Sequence, residues 1–267
     1  MLMPLPTDPA DLRRLAVETE AVAESTASAA DEETTRRHAL ALLDLGRIHH
    51  RLGEAAEGER LFRESADLFW GLHTPFDADI AAVASLGQAA LVMDDGRDRD
   101  ALAIIERMIT RLGGFPAMQM SPRGPASGLG IWMLLLDRAK KNARLYEASG
   151  IAMAMLEPPA SAEARVVLGK AFAWRARSAD TLGHTDEAVD MYQHAIARLE
   201  MEEPDESVTA LLDHAVGRVA PLLAELGRAD EAAAAFSRLI ERLQTNKQAW
   251  ARTAVIAARA WLRLQRR

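Results

Sequence analysis

The sequence predicts an all-α protein built from stacked helical hairpins. The segment LGHTDEAVDMYQHAIARL (residues 182–199) returns as LGRADEAAAAFSRLIERL (residues 226–243), with 44 residues between Gly183 and Gly227. A weaker copy, LGEAAEGERLFRESADLF, occupies residues 52–69. Repetition at this period is typical of helical arrays, in which each unit buries its apolar face against its neighbours. The chain is also 49% hydrophobic but only 5% aromatic, and it has few alternating β-branched runs, which favours helices over strands.

The first element is a capping helix, assigned to residues 8–34, with the helix itself expected up to Ala29. Its predicted apolar side consists of Leu12, Leu15, Ala16 and Val22. A terminal repeat has one face that no neighbour covers, so an array needs a cap at each end.

Residues 35–245 then form about five helix-turn-helix repeats. Gly53, Gly96, Gly183 and Gly227 suit the turns because glycine adopts the left-handed conformation that closes a helix. After Gly183, Thr185 or Asp186 is expected to cap the second helix. A fifth turn is predicted at Ala143, and the first helix before Gly96 fits only with a loop about two residues longer.

Side chains at fixed distances from each turn form the predicted crossing of the two helices. Spacings of three and four residues place them on one stripe of each helix. Before and after Gly183 they are Phe172, Ala176, Ala179, Ala188, Tyr192 and Ala195. The same places around Gly227 hold Val216, Ala220, Leu223, Ala232, Phe236 and Leu239, and around Gly53 they hold Leu42, Gly46, His49, Gly58, Phe62 and Ser65. After Gly96 they are Ala101, Ile105 and Met108, and around Ala143 they are Trp132, Leu136, Ala139, Ala148, Ala152 and Met155.

The last element is a solitary capping helix over residues 246–267, with Trp250, Ala254, Ala257, Trp261 and Leu264 on its predicted apolar face. Breaks between elements are expected at residues 74–75, 113–125, 157–161 and 202–205. The 113–125 segment is the longest predicted loop, which fits a hinge, a lid or a simple connection.

This pattern of bulky, small, glycine, alanine, aromatic and small positions resembles the tetratricopeptide repeat (TPR) over roughly residues 39–243. The glycine spacings of 43 and 44 residues exceed the usual repeat of about 34, so the sequence is similar to the longer variant found in kinesin light chains and bacterial regulators. The resemblance implies one domain over residues 1–267, a right-handed superhelical α-solenoid of about five hairpins. It also implies that the first helix of each hairpin lines a concave groove for peptides or proteins.

Positions ten, six and three residues before a turn glycine are expected to face this groove. They are Leu43, Arg47 and His50 before Gly53, and Ala173, Arg177 and Asp180 before Gly183, with Lys170 and Trp174 close by. Arginine and lysine suit an acidic ligand or a terminal carboxylate, and a tryptophan suits an anchor. The alternative is that these are ordinary solvated helix residues.

The sequence contains only incomplete forms of the common catalytic, nucleotide-binding and metal-binding motifs. Gly128 and Gly130 lack the third glycine of a dinucleotide site, and Gly169-Lys170 lacks the rest of a phosphate loop. The acidic turn at residues 94–100 lacks the alternating aspartates of a calcium loop, and neither HExxH nor GxSxG occurs. We therefore expect no enzyme activity, catalytic residue, cofactor or metal, with a hydrolase or transferase site in the 113–125 loop as the remaining alternative.

The net charge and the composition limit the kinds of partner that the protein is expected to bind. A net charge of −7 with a pI near 5.6 argues against nucleic-acid binding, and cysteine is absent. Neither a secretory signal nor an apolar stretch of about 20 residues is recognised, so no membrane partner and a cytoplasmic location are expected. The Ala- and Arg-rich composition favours a bacterial origin. Residues 1–34 carry eight acids and two bases, whereas residues 238–267 carry eight bases and one acid, which fits either salt-sensitive head-to-tail association or solubility alone.

From these observations the sequence predicts a scaffold or adaptor that binds a protein or peptide in its concave groove. The alternative is a ligand- or peptide-responsive sensor that acts through a separate effector protein, since this chain has no recognisable DNA-binding or nucleotide-hydrolysing segment.

Overall fold

The structure, a computed structural model, describes residues 4–28, 31–113, 123–159, 161–203 and 205–265, with the side chains of 123–125 left out. Within these ranges it contains twelve α-helices and no strand, which confirms the predicted all-α class. The helices are α1 (Pro9–Thr26), α2 (Glu32–Leu52), α3 (Ala55–Gly71), α4 (Pro75–Asp94), α5 (Asp98–Leu112), α6 (Arg123–Arg138), α7 (Asn142–Leu156), α8 (Ala162–Leu182), α9 (Thr185–Leu199), α10 (Glu206–Glu225), α11 (Ala229–Leu243) and α12 (Ala249–Gln265).

The helices group into two compact units, residues 1–135 (unit 1) and residues 136–267 (unit 2). In unit 1, the helices α1 to α5 pack in chain order. In unit 2, the helices α7 to α12 do the same, and α8 also contacts α10. Packing between chain neighbours is what a stacked array requires. The assignment of residues 1–267 to a single domain stays a prediction.

Five turns share one backbone geometry, and they follow one another at intervals of 43 or 44 residues. Their central residues, Gly53, Gly96, Lys140, Gly183 and Gly227, have φ values of 78°, 75°, 53°, 82° and 74°. In each turn the next residue donates its backbone N–H to the carbonyl five residues earlier, at 2.8–3.0 Å, as in Glu54 to His49 and His184 to Ala179. This bond closes the first helix with a left-handed residue.

The fifth turn is centred on Lys140, so its prediction at Ala143 is wrong by three residues. No glycine marks the place, and the residue with positive φ is a lysine. The buried side chains at the crossing positions of this repeat are consequently Leu129, Met133, Leu136, Leu145, Ser149 and Ala152, while Ala139 is exposed. The longer loop predicted before Gly96 is also wrong, because Ser85, Ala89 and Val92 are buried at the offsets that the other repeats use.

The helix caps differ between the two helices of a hairpin. Asp31, Thr74, Ser161 and Asp205 cap α2, α4, α8 and α10 through their side chains. The second helices have no such cap: α9 begins at Thr185, and its N-cap residue His184 makes no side-chain bond. The predicted capping role of Thr185 or Asp186 is therefore wrong, because the two-residue turn places both already inside the helix.

Small residues let the hairpin helices approach closely. Phe62 of α3 is 3% exposed and lies between Gly46 of α2 and Gly87 of α4. A methyl group on either glycine would come within 2.9 Å of the ring. In unit 2, Ala188, Tyr192 and Ala195 are fully buried, which confirms the predicted stripe of α9. At the crossing of α2, α3 and α4, an aromatic ring is therefore placed between two glycines.

The buried faces of the terminal helices match the predictions in part, since Leu12, Ala16 and Trp261 pack as expected and other predicted residues do not. In α1 the buried residues are Leu12, Ala16 and Ala23, whereas Val22 is 48% exposed. Val22 follows Ala16 by six residues, which places it about 240° around the helix. In α12 the buried residues are Ala251, Val255 and Ala258, while Trp250, Ala257 and Leu264 are exposed. The small side chains of α12 face α11 because they allow the two helices to pack closely.

The predicted breaks at residues 157–161 and 202–205 fall between helices, and the break at residues 74–75 marks the start of α4 at Pro75. Of the predicted 113–125 loop, residues 123–125 already belong to α6, and residues 114–122 lie outside the described part of the chain. The predicted capping segment 8–34 also extends past the start of α2, because Asp31 caps that helix.

The helix α4 is long and apolar enough to cross a membrane by length and composition, with a mean hydropathy of 1.4 over an 18-residue window. The expectation that no stretch reaches this length is wrong for α4. More than half of that window is buried inside the protein, and α4 packs against α3 and α5. A buried core helix has this composition because few of its positions face water.

Candidate functional site

In unit 1 the three predicted groove residues on α2 differ in how far they are buried. Leu43 is fully buried and packs in a core cluster with Phe62, Ala66, Ala84 and Leu91. Arg47 forms an ion pair with Asp44 at 2.6 Å, and His50 lies 3.7 Å from Asp94. Arg47 and His50 therefore remain at the surface, whereas Leu43 belongs to the core.

In unit 2 the predicted anchor, Trp174, is 6% exposed, and its neighbour Ala173 is 2% exposed. Both lie on α8 between helices that pack on either side, so they are core side chains. A buried tryptophan contributes through packing, and its truncation typically costs about 3–5 kcal/mol of stability. Trp174 is therefore not an exposed anchor, and replacing it would alter melting as well as any binding.

The polar residues predicted on α8 belong to a larger group that joins the first helices of unit 2. We call the six side chains the polar cluster: Asp137 (α6), Arg177 and Asp180 (α8), Tyr192 (α9), and His214 and Arg218 (α10). Arg177 binds Asp137 at 2.7 and 3.1 Å. Arg218 binds Asp180 with two parallel bonds at 2.8 and 2.9 Å. Bidentate pairs of this kind fix the guanidinium plane as well as its position.

The charged pairs are exposed on one side only. The carboxylate side chains of Asp137 and Asp180 are each 18% exposed, while Arg177 and Arg218 are 40% and 38% exposed. The acids are thus largely covered, and the guanidinium groups meet the solvent. Because a guanidinium has five N–H donors, each arginine keeps donors that its own aspartate does not use.

The titratable groups beneath these pairs are held neutral. The Tyr192 hydroxyl lies 3.2 Å from Nε2 of His214. Burial raises the pKa of Tyr192, and the carboxylate of Asp180 adds to that rise. Burial lowers the pKa of His214, and the positive charges of Arg177 and Arg218 act in the same direction. With two arginines and two aspartates, the polar cluster carries no net charge at neutral pH.

Lys170, the remaining predicted residue, lies on α8 away from these pairs. Its Nζ donates to the Ser207 hydroxyl at 2.6 Å and lies 4.0 Å from Asp205. Ser207 and Asp205 also form the cap of α10. Lys170 therefore connects α8 to the start of α10. Among the described side chains, no three His, Asp or Glu groups lie close enough together to hold a metal ion.

Sequence reasoning missed Asp137, His214 and Arg218. Asp137 lies three residues before the turn residue Lys140, which is the place that Asp180 holds before Gly183 and His50 before Gly53. Correct placement of the fifth turn would have identified it. Arg218 lies nine residues before Gly227, a position that the predicted pattern does not include. Its role depends on the approach of α10 to α8.

Solved structures with the same arrangement of helices were found by comparison. BtubC (BKLC) from P. vanneervenii is 14% identical, with a TM-score of 0.55, covering 96% of this chain and 92% of that one. YrrB, a TPR protein with an unusual peptide-binding site, is 13% identical, with a TM-score of 0.51, covering 83% of this chain and 92% of that one. This chain has a TPR fold. The resemblance predicted from the repeat pattern is thus confirmed at the level of the fold.

RapI in its apo form shares the TPR-like arrangement, with 10% identity and a TM-score of 0.59 over 89% of this chain. The match covers 61% of RapI, so this chain spans about three fifths of that protein. No protein-family model matches the sequence, and no curated protein matches it either. At these identities the comparisons establish the fold, and the chemistry must be read from the side chains.

Proposed function

We propose that this TPR-fold protein is a non-enzymatic scaffold that binds a peptide or protein segment at the polar cluster of unit 2. One observation carries the proposal: Arg177 and Arg218 are held in place by aspartates of neighbouring first helices, yet about two fifths of each side chain stays exposed. A surface that is fixed before binding loses little entropy when a partner arrives.

The donors left over define the kind of partner. Arg218 donates Nε and Nη2 to Asp180, which leaves Nη1. Arg177 donates Nη1 to Asp137 and holds Nη2 in an ion-pair contact with the same carboxylate, which leaves Nε. An acidic ligand would have to compete with the two aspartates, because the cluster is neutral overall. A segment that presents main-chain carbonyl oxygens suits these donors better than a run of acidic side chains. The peptide-binding site of YrrB supports a peptide as the partner of a protein with this fold.

The test compares a variant of the polar cluster with a matched control. Arg177→Gln together with Arg218→Gln keeps an uncharged polar side chain at each position but removes both guanidinium groups. Arg60→Gln together with Arg228→Gln is the control, because these two arginines pair with Glu57 and Glu231 on their own turns of helix. Both proteins are first checked for unchanged helicity and melting.

Proteins captured from the native host by wild type and both variants are then identified by mass spectrometry, and the retained partner is titrated in purified form. We expect the polar-cluster variant to bind at least about tenfold more weakly, which corresponds to the loss of about 1.4 kcal/mol. The control is expected to bind like wild type. Equal affinity of the polar-cluster variant and wild type would move the binding surface elsewhere.

A further inference from the structure

A second groove in unit 1 differs from the polar cluster in position and chemistry. It lies between the second helices α3 and α5, with α4 as its floor, and it encloses about 160 Å³. Arg63 projects from α3, Arg107 and Arg111 from α5, and Gln88 from the floor. We call these four residues the arginine pocket.

The equivalent groove in unit 2, between α9 and α11 over α10, is larger, at about 410 Å³, and has a different lining. Its floor is apolar, with Val216 and Val219 where the arginine pocket has Ser85 and Gln88. Arg238 lies eleven residues after its turn residue, as Arg107 does, and it forms an ion pair with Glu200.

Glu200 lies seventeen residues after Gly183, and the residue seventeen positions after Gly53 is Trp70. The carboxylate that neutralises Arg238 is thus replaced by an indole in unit 1. Arg107 consequently has no carboxylate within 4 Å in the described part of the chain, and neither does Arg63. Arg111 lies 3.7 Å from Asp67 and 5.5 Å over the Trp70 ring. Three guanidinium groups therefore face one carboxylate.

The floor residue Gln88 adds an independent observation. Its side chain lines the pocket, and the residue is 6% exposed. The amide of glutamine carries two N–H donors, so it can bind an oxygen atom of a ligand that enters the pocket. In the unit 2 groove, the corresponding position is the apolar Val219, whose side chain has no hydrogen-bond donor.

From this geometry we infer that the arginine pocket binds a phosphoryl group, either as free phosphate or at the end of a small phosphate monoester. Guanidinium groups on both walls and an amide on the floor offer N–H donors from three sides, which matches a tetrahedral dianion. The volume of about 160 Å³ has room for one such group. This site is independent of the polar cluster and of the scaffold function proposed for it.

Calorimetric titration tests this inference, using inorganic phosphate and phenyl phosphate separately, with ionic strength held constant by sodium chloride. Wild type is expected to show saturable binding of at least one of the two probes. Arg107→Gln and Arg63→Gln, on opposite walls, are each expected to weaken binding at least tenfold. Arg238→Gln, the equivalent change in the unit 2 groove, is the matched control and should leave binding unchanged.

Binding of both probes would indicate a site for the phosphoryl group alone, and binding of phenyl phosphate only would indicate a site for the esterified group. Both results support the pocket when the two wall variants lose binding. Absence of saturable binding of either probe to wild type overturns the inference, as does equal weakening by Arg238→Gln, which would mean diffuse attraction to surface arginines. Thermal melting of each variant shows whether it is folded. If one of the two wall variants, Arg63→Gln or Arg107→Gln, fails to fold, the other still tests the inference.

Discussion

The sandwich of Phe62 between Gly46 and Gly87 makes a quantitative prediction about unit 1. In Gly87→Ala, the new methyl carbon would lie 2.8 Å from both Cε1 and Cζ of the ring. Ordinary contacts between carbon atoms need about 3.5–4.0 Å, so the ring would have to retreat by roughly 1 Å. The other side of the ring also lies close to a helix backbone, since a methyl carbon added at Gly46 would lie only 2.9 Å from Cδ1, so the ring has little room to retreat.

The expected cost follows from two opposing effects. Overpacking of a close-packed core costs about 1–3 kcal/mol. Replacing glycine by alanine inside a helix recovers about 1 kcal/mol through helix propensity. Gly71→Ala is the matched control, because nothing lies within 4 Å of a methyl group at that helical position. We therefore expect Gly87→Ala to be about 1–3 kcal/mol less stable than Gly71→Ala.

Thermal unfolding followed by far-UV circular dichroism measures this difference, which corresponds to a Tm lower by about 2–12 °C. The same substitution in a Phe62→Leu background isolates the contact, since a smaller side chain leaves room for the methyl group. The penalty of Gly87→Ala should shrink there. If Gly87→Ala melts at or above Gly71→Ala, the packing of Phe62 between the two glycines is refuted.

Three further predictions concern other parts of the chain. Lys140→Gly should raise the free energy of unfolding, measured by urea titration, by about 0.5–1 kcal/mol. Removing the strain of a lysine in the left-handed conformation gains about 1–2 kcal/mol, which exceeds the cost of the greater unfolded-state entropy of glycine. An unchanged or lower free energy of unfolding would contradict this prediction. Since the pKa of His214 is lowered in the fold, the unfolded chain binds more protons, so stability should fall as the pH drops below about 6.5. His214→Gln should flatten that dependence between pH 7 and pH 5, and an identical pH profile would count against it. Light scattering should show a larger mass at low salt than at high salt if the acidic residues 1–34 associate with the basic residues 238–267 of another copy; salt-insensitive monomers would rule this association out.

Where a feature depends on local chemistry, the sequence was sufficient to predict it. A glycine that closes a helix needs only its own backbone freedom, so Gly53, Gly96, Gly183 and Gly227 each marked the place of a turn directly. The alanine and aromatic stripe of α9 follows from helical periodicity and a repeated pattern. The turn at Lys140 was not predicted because a lysine adopts the left-handed conformation there, and only the surrounding helices impose that conformation.

The candidate sites depend on neighbours that periodicity does not reveal. Arg177 and Asp180 were predicted to face a ligand, yet each has an internal partner on another helix, Asp137 for one and Arg218 for the other. Trp174 and Leu43 lie at predicted groove positions but are buried, because adjacent helices cover them.

What the sequence alone determined is therefore the fold class, the repeat period and the helix-closing turns, since each depends on residues close together in the chain. Tertiary structure decided which side chains stay exposed and which charges neutralise each other. Those outcomes depend on the approach of helices separated by about 40 residues. Trp70 in unit 1 and Glu200 in unit 2 illustrate this dependence, because they occupy equivalent positions in the repeat. Glu200 pairs with Arg238, whereas Trp70 gives Arg107 no carboxylate, and this contrast appears only when α3 and α5 lie on the two sides of the groove.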